Sequence, residues 1–119
     1  MKLDKTLPLK IQSPNVMEHW TKRYKRNQFN HSLIRSRLLT PTIQIHLPCS
    51  ITLERAANRF YDVDNYIFAC KGVKDSIASI ILNKKRGQDD DNPGITWIYK
   101  QVKGKQSMRI EITWDEIST

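Results

Sequence analysis

Three acidic stretches hold the residues of this chain that could do chemistry: Asp62-Val63-Asp64-Asn65, then Lys71 and Asp75, then Asp89-Asp90-Asp91. In extended backbone Asp62 and Asp64 stand two residues apart, so both carboxylates face one way while Val63 turns into the core. On a helix that starts near Asn65, Lys71 falls about 20° from the extrapolated direction of Asp64, and Asp75 about 40° beyond Lys71. Two carboxylates and an ammonium then face one pocket. A third carboxylate, from Asp90 or Asp91, completes an oxygen site of the kind Mg²⁺ takes while keeping several waters. The chemistry such a site suits is phosphodiester hydrolysis, in which a cation polarises the phosphate and acidifies the attacking water while Lys71 stabilises the developing charge.

Each feature also has a plainer reading. Asp64 ahead of a helix is a good N-cap, and Asp62 and Asp64 both gain from the positive end of the helix dipole whether or not a metal is bound. Lys71 and Asp75 make an i, i+4 ion pair contributing about a few tenths of a kcal/mol. The Asp run that follows Lys84-Lys85-Arg86-Gly87 reads equally well as a solvated loop.

The elements that must position these residues are read from hydrophobic periodicity. Leu7, Leu9 and Ile11 alternate and predict a first strand, ended by Ser13-Pro14-Asn15. From about 16 to 39, Met17, Trp20 and Tyr24 and then Leu33, Ile34 and Leu38 predict two helical pieces around Asn27-Gln28-Phe29-Asn30. Ile43, Ile45 and Leu47, then Ile51, Leu53 and Arg55, predict two strands joined by a turn at Pro48-Cys49-Ser50. Tyr66, Cys70, Val73, Ile77, Ile80 and Ile81 form one apolar stripe at helical spacing. Ile95, Trp97 and Tyr99, followed beyond Gly104 by Met108, Ile110, Ile112 and Trp114, predict a closing β-hairpin with Arg109, Glu111 and Thr113 on its other face. The expected fold is therefore α+β, one domain over residues 1–119, with a mixed sheet of about five strands and helices packed against it.

With 20 Lys and Arg against 12 Asp and Glu, the formal charge is +8, which points to a polyanionic partner. Lys22-Arg23-x-Lys25-Arg26, interleaved with Trp20 and Tyr24, is suited to phosphate contacts and stacking, and reads otherwise as a solvated helix face. Lys84, Lys85 and Arg86, with Lys100, Lys103 and Lys105, offer further phosphate contacts. Cys49 and Cys70 make no C-x-x-C pair, and His19, His31 and His46 lack metal-ligand spacing. No apolar run spans a bilayer and the start lacks a signal peptide's apolar core, so the expected place is the cytoplasm, with no membrane partner and no small-molecule cofactor. At this length a dimer interface would add useful apolar burial.

Asp62-x-Asp64-Asn65, Lys71 seven residues beyond Asp64, Asp75 eleven beyond it, the Asp-Asp loop and Thr96-Trp97-x-Tyr99 together resemble the RusA family of Holliday-junction resolvases, most closely its phage and prophage branch. The likeness extends to Ser13-Pro14-Asn15 leading to His19-Trp20-x-Lys22-Arg23, and to Arg109-Ile110-Glu111-Ile112, so it spans nearly the whole chain. It implies a Mg²⁺-dependent endonuclease acting as a homodimer on four-way DNA junctions. Asp62, Asp64 and one of Asp90 or Asp91 would be the metal ligands and Lys71 the catalytic lysine. The chain departs from the family's pattern in that its lysine lies seven rather than four residues after the second Asp, about one helical turn further on. The competing readings are a DNA-binding protein of the same fold without cleavage, and a basic structural or adaptor protein whose carboxylates only cap and pair.

Overall fold

The computed structural model describes residues 1–12, 17–38, 45–82 and 92–115. Its elements are β1 (Lys2–Leu7), α1 (Trp20–Leu38), β2 (Cys49–Ala56), α2 (Val63–Ala69), α3 (Lys71–Leu82), β3 (Ile95–Val102) and β4 (Ser107–Trp114). The strands form one mixed sheet in the order β1-β4-β2-β3, parallel between β2 and β3 and antiparallel elsewhere. The class is α+β, as expected, with four strands among the described residues in place of about five.

Alternation explains which side of the sheet is covered. Cys49, Ile51 and Leu53 of β2 and Met108, Ile110, Ile112 and Trp114 of β4 are buried, and they share one core with Ile34 and Leu38 of α1, Tyr66 of α2 and Val73 and Ile77 of α3. Burying each such aliphatic side chain stabilises the fold by about 1.5–3 kcal/mol. The opposite register carries charge. Arg109 forks onto Asp4 at 2.6 and 2.9 Å and lies 2.9 Å from Glu111, and its hydrogen bonds hold the Asp4 carboxyl below its usual range. This network is exposed and contributes little.

The parallel β2–β3 pair needs a crossover connection, and α2 with α3 supplies it. Expected as one helix from near Asn65, this segment starts at Val63 and is interrupted only at Cys70. The interruption is slight: the Cys70 N–H donates to the Tyr66 carbonyl (3.0 Å) and the Lys74 N–H to that of Cys70 (2.9 Å). Burial pushes the Cys70 thiol up to about 12, and both cysteines are free and buried. No helix among the described residues is long and apolar enough to cross a membrane.

Four expectations are corrected. The first strand runs Lys2–Leu7, not through Leu9 and Ile11, because Pro8 has no N–H to continue the ladder. The two helical pieces are the single helix α1, whose buried residues are Asn30, Ile34 and Leu38. Cys49 and Ser50, expected in a turn, are the first residues of β2, paired on both sides. Ile45 and Leu47 before them lie outside any strand, with Pro48 at the boundary, while Ile43 falls outside the described residues. Finally, β3 and β4 form no hairpin: β2 lies between them, and residues 103–106 step round its end. Gly104, at φ +156, passes there with the position of a Cβ 3.7 Å from the Ala56 Cβ.

Tyr66 ties helix to sheet, its buried hydroxyl donating to the Leu53 carbonyl at 2.7 Å. Tyr66→Phe should lower the unfolding free energy by about 1 kcal/mol. Burial raises the phenol above its ordinary 10.0, so the stability it gives is complete below pH 10.0 and falls as pH rises past it. Urea unfolding at neutral and alkaline pH should show a smaller alkaline loss for the variant, and identical pH profiles would count against this assignment.

Candidate metal and nucleic-acid site

Asp62 and Asp64 are positioned by the end of β2 and by β3. The inward register of β2 finishes with Arg55, whose Nη1 donates to the Arg59 carbonyl at 2.8 Å and whose guanidinium lies 4.2 Å from the centre of the Tyr61 ring. From β3, the Gln101 side chain clamps Tyr61 from both sides, accepting from its N–H and donating to its carbonyl, each at 2.9 Å. The next residue is Asp62. Its carbonyl accepts the first helical bond, from the Tyr66 N–H at 2.8 Å, so Asp62 is the N-cap residue of α2 and Asp64 sits in the first turn.

This changes two expectations. The cap is Asp62 rather than Asp64, and its side chain makes no capping hydrogen bond, so the carboxylate is not consumed in closing the helix. The extended chain ends at Asp62, which removes the two-residue alternation. Val63, expected in the core, is 69% exposed, and both carboxylates are exposed beside it.

Lys71 and Asp75 belong to a different surface. The Lys71 Nζ lies 3.6 Å from Asp75 Oδ1, and both line a cleft of about 390 Å³ between the start of α1 and the α2–α3 run. Neither Asp62 nor Asp64 lines it. Lys71 is about 10 Å beyond Asp64 along the helix axis, and its ammonium turns toward Asp75, a further turn away. The structure thus brings Lys71 together with Asp75, while Asp62 and Asp64 share only the start of α2, as its N-cap and in its first turn. Asp90 and Asp91, with Asp89, Lys84, Lys85 and Arg86, lie outside the described residues. Among the described residues no three His, Cys, Asp or Glu side chains converge as a metal site.

In the basic segment, Lys22, Arg23 and Lys25 are exposed, as are Trp20 (68%) and Tyr24 (58%) one turn apart. Arg26 is engaged: its two terminal nitrogens fork onto Glu18 at 2.6 and 2.9 Å, and these bonds hold the Glu18 carboxyl below its usual range. The Glu18 pair makes Arg26 a strut between the chain before α1 and the helix. Asn27, on the next position, meets α3 where Gly72 leaves room: a Cβ there would stand 2.6 Å from Asn27 Oδ1.

Two functional supports, Gln101 and Asn30, were not expected from the sequence. Gln101 follows Ile95, Trp97 and Tyr99 on the inward register of β3. Asn30 stands on the stripe of Ile34 and Leu38, 2% exposed, with its amide accepting from the Lys10 N–H at 2.9 Å and donating to the Lys10 carbonyl. A polar residue on an apolar stripe is the signal that could have marked both. No protein-family model matches this chain, and no curated protein matches it.

Proposed function

We propose that the chain is a RusA-type endonuclease that cuts four-way DNA junctions with Mg²⁺, acting in the cytoplasm as a homodimer. The observation that carries this reading is the N-cap Asp62, whose carboxylate is exposed and not spent on capping, on a chain that Gln101 and Arg55 hold at Tyr61 and Arg59 just before it, with Asp64 in the first turn. Their oxygen-only donor set fits Mg²⁺, which is commonly held by one or two carboxylates together with substrate phosphate and water. Bound there, the ion would polarise the scissile phosphate and acidify a water. The protein's own residues do the rest. Asp62 and Asp64 would hold the ion, Lys22, Arg23 and Lys25 neutralise phosphates, and Lys71 would have to turn from Asp75 for its ammonium to reach charge that develops in the transition state. Exposed Phe60, Val63 and Ile67 around α2 offer apolar area for a second copy, and two-fold symmetry suits paired cuts on a junction.

Asp62→Asn and Asp64→Asn should each abolish Mg²⁺-dependent cleavage of a labelled synthetic junction while gel-shift affinity in EDTA stays the same or rises. A variant cutting at the parent's rate would make its carboxylate a helix-dipole partner only. Lys71→Ala should lower the single-turnover rate by about 10²-fold or more with junction affinity little changed. The opposite outcome, binding lost and rate preserved, would leave Lys71 as a phosphate contact or simply the partner of Asp75.

Replacing Lys22, Arg23 and Lys25 with Ala should flatten the dependence of log K on log salt by about 3 units, about 0.9 for each phosphate left without its cation, and should not lower the melting temperature. Arg26→Ala should do the reverse, lowering the melting temperature and leaving the slope nearly unchanged. An equal loss of slope from Arg26→Ala would show that its bond to Glu18 opens on DNA.

A further inference from the structure

Residues 10–12 divide two concavities with different linings. The first is the cleft of about 390 Å³, within the range of about 300–1,000 Å³ typical of pockets for small ligands. Its walls mix acceptors and donors: Glu18 and Asp75, the Asn27 amide, and Lys10, Arg23, Arg26 and Lys71. Phe68 also lines it and is 65% exposed, so its ring is available to a flat ligand. The second is a more open groove of about 640 Å³, lined by Lys10, Lys22, Lys25 and Arg26 with Phe29 and Gln106. Among the described residues no carboxylate lines it.

The two linings select different parts of a nucleotide. Phosphate is drawn to the groove, whose Lys10, Lys22 and Lys25 meet no carboxylate in its lining, more than to the cleft, whose cations are paired with its own acids, Arg23 and Arg26 with Glu18 and Lys71 with Asp75. A nucleobase carries donors and acceptors on its edge and a flat face that stacks on aromatic rings, so it matches the cleft. The divider between them is fixed. Asn30 clamps both backbone groups of Lys10, and the Lys10 ammonium lies 4.6 Å from the centre of the Phe29 ring, which holds that cation at the groove. A paired base cannot enter the cleft without leaving its stack.

We propose that the groove and the cleft together bind an unpaired DNA strand, the phosphodiester lying along Lys10, Lys22 and Lys25 and one unstacked base entering the cleft against Phe68. The proposal rests on DNA being the partner and names which form of it this surface prefers: the open strand exposed where a junction's arms part.

Anisotropy titrations with a fluorescent oligothymidylate and with a duplex of equal length, both in EDTA, test it. The parent should bind the single strand more tightly than the duplex. Phe68→Ala should weaken single-strand binding by at least about 5-fold with duplex affinity unchanged, and Phe68→Tyr should restore it. Replacing Lys10, Lys22 and Lys25 with Ala should flatten the single-strand salt dependence by about 2 units, about 0.7 per phosphate neutralised. Because Phe68 is exposed, thermal melting of the Ala variant should match the parent. Equal single-strand affinity for parent and Phe68→Ala, or a parallel loss on duplex, would overturn the proposal. Failure of the nuclease reading looks different: single-strand binding persists and Mg²⁺ brings no junction cleavage.

Discussion

The far end of β2 is the constraint on which the rest of the molecule depends, because its last residue is paired on both sides. Ala56 lies opposite Val102 of β3 and Ser107 of β4, so residues 103–106 must pass round this end while the main chain leaves it toward α2. Two chain paths crowded together leave backbone groups that need partners away from water. They find them locally: the Ala57 N–H donates to the Val102 carbonyl, Arg55 serves the Arg59 carbonyl, and Gln101 serves both groups of Tyr61. The same bonds that satisfy the crossing hold the chain just ahead of Asp62. The acidic turn is therefore set by inward-facing polar residues of two strands, and the helix that follows inherits its starting point from them.

Charge is distributed with a similar division of labour. The carboxylates of Asp62 and Asp64 stand at the positive end of a helical run that continues through Cys70, an arrangement favourable by about 0.3–1 kcal/mol per charge at the surface. The cations gather on α1 and at Lys10. Counting them overstates what is available to a polyanion, since Glu18 takes up Arg26 and also lies 3.8 Å from Arg23. The pair instead anchors the approach to α1 and leaves Lys22 and Lys25 facing the groove.

Periodicity made the inward faces legible and left adjacency unread. Met108, Ile110, Ile112 and Trp114 read directly as the buried face of a strand, because β4 has partners on both sides and one covered face. The same alternation in β3 and β4 says nothing of which strand lies between them, so a short link looked like a hairpin. At Asp62 the period changes from two to 3.6, and placing that change two residues late put Val63 in the core when it is exposed. The clamps were beyond reach for another reason: Asn30 closes on a backbone 20 residues away and Gln101 on one 40 away. Sequence marks such residues as polar misfits on an apolar face without showing what they hold. The Lys71–Asp75 pair was legible from its i, i+4 spacing, whereas the common direction expected of Asp62 and Asp64 rested on an extended chain that ends at Asp62.

The division of charge bears on how a metal and DNA would act together on the proposed function. Two carboxylates on a fixed turn are a small share of the six oxygens Mg²⁺ requires, and the ion gives up its water reluctantly. Phosphate oxygens are the natural remainder, so ion and DNA would each raise the other's affinity through a shared coordination sphere. The carboxylates repel the phosphate until the ion arrives, while the exposed lysines of α1 attract it regardless. Initial capture would then be the work of α1 and Lys10, insensitive to metal, and close approach of the scissile bond to Asp62 and Asp64 would wait for Mg²⁺. On that proposal binding and cutting would separate in space as they do in charge, with the cationic surface on one helix and the anionic turn on another, joined by the approach of α1 to α3 at Asn27 and Gly72.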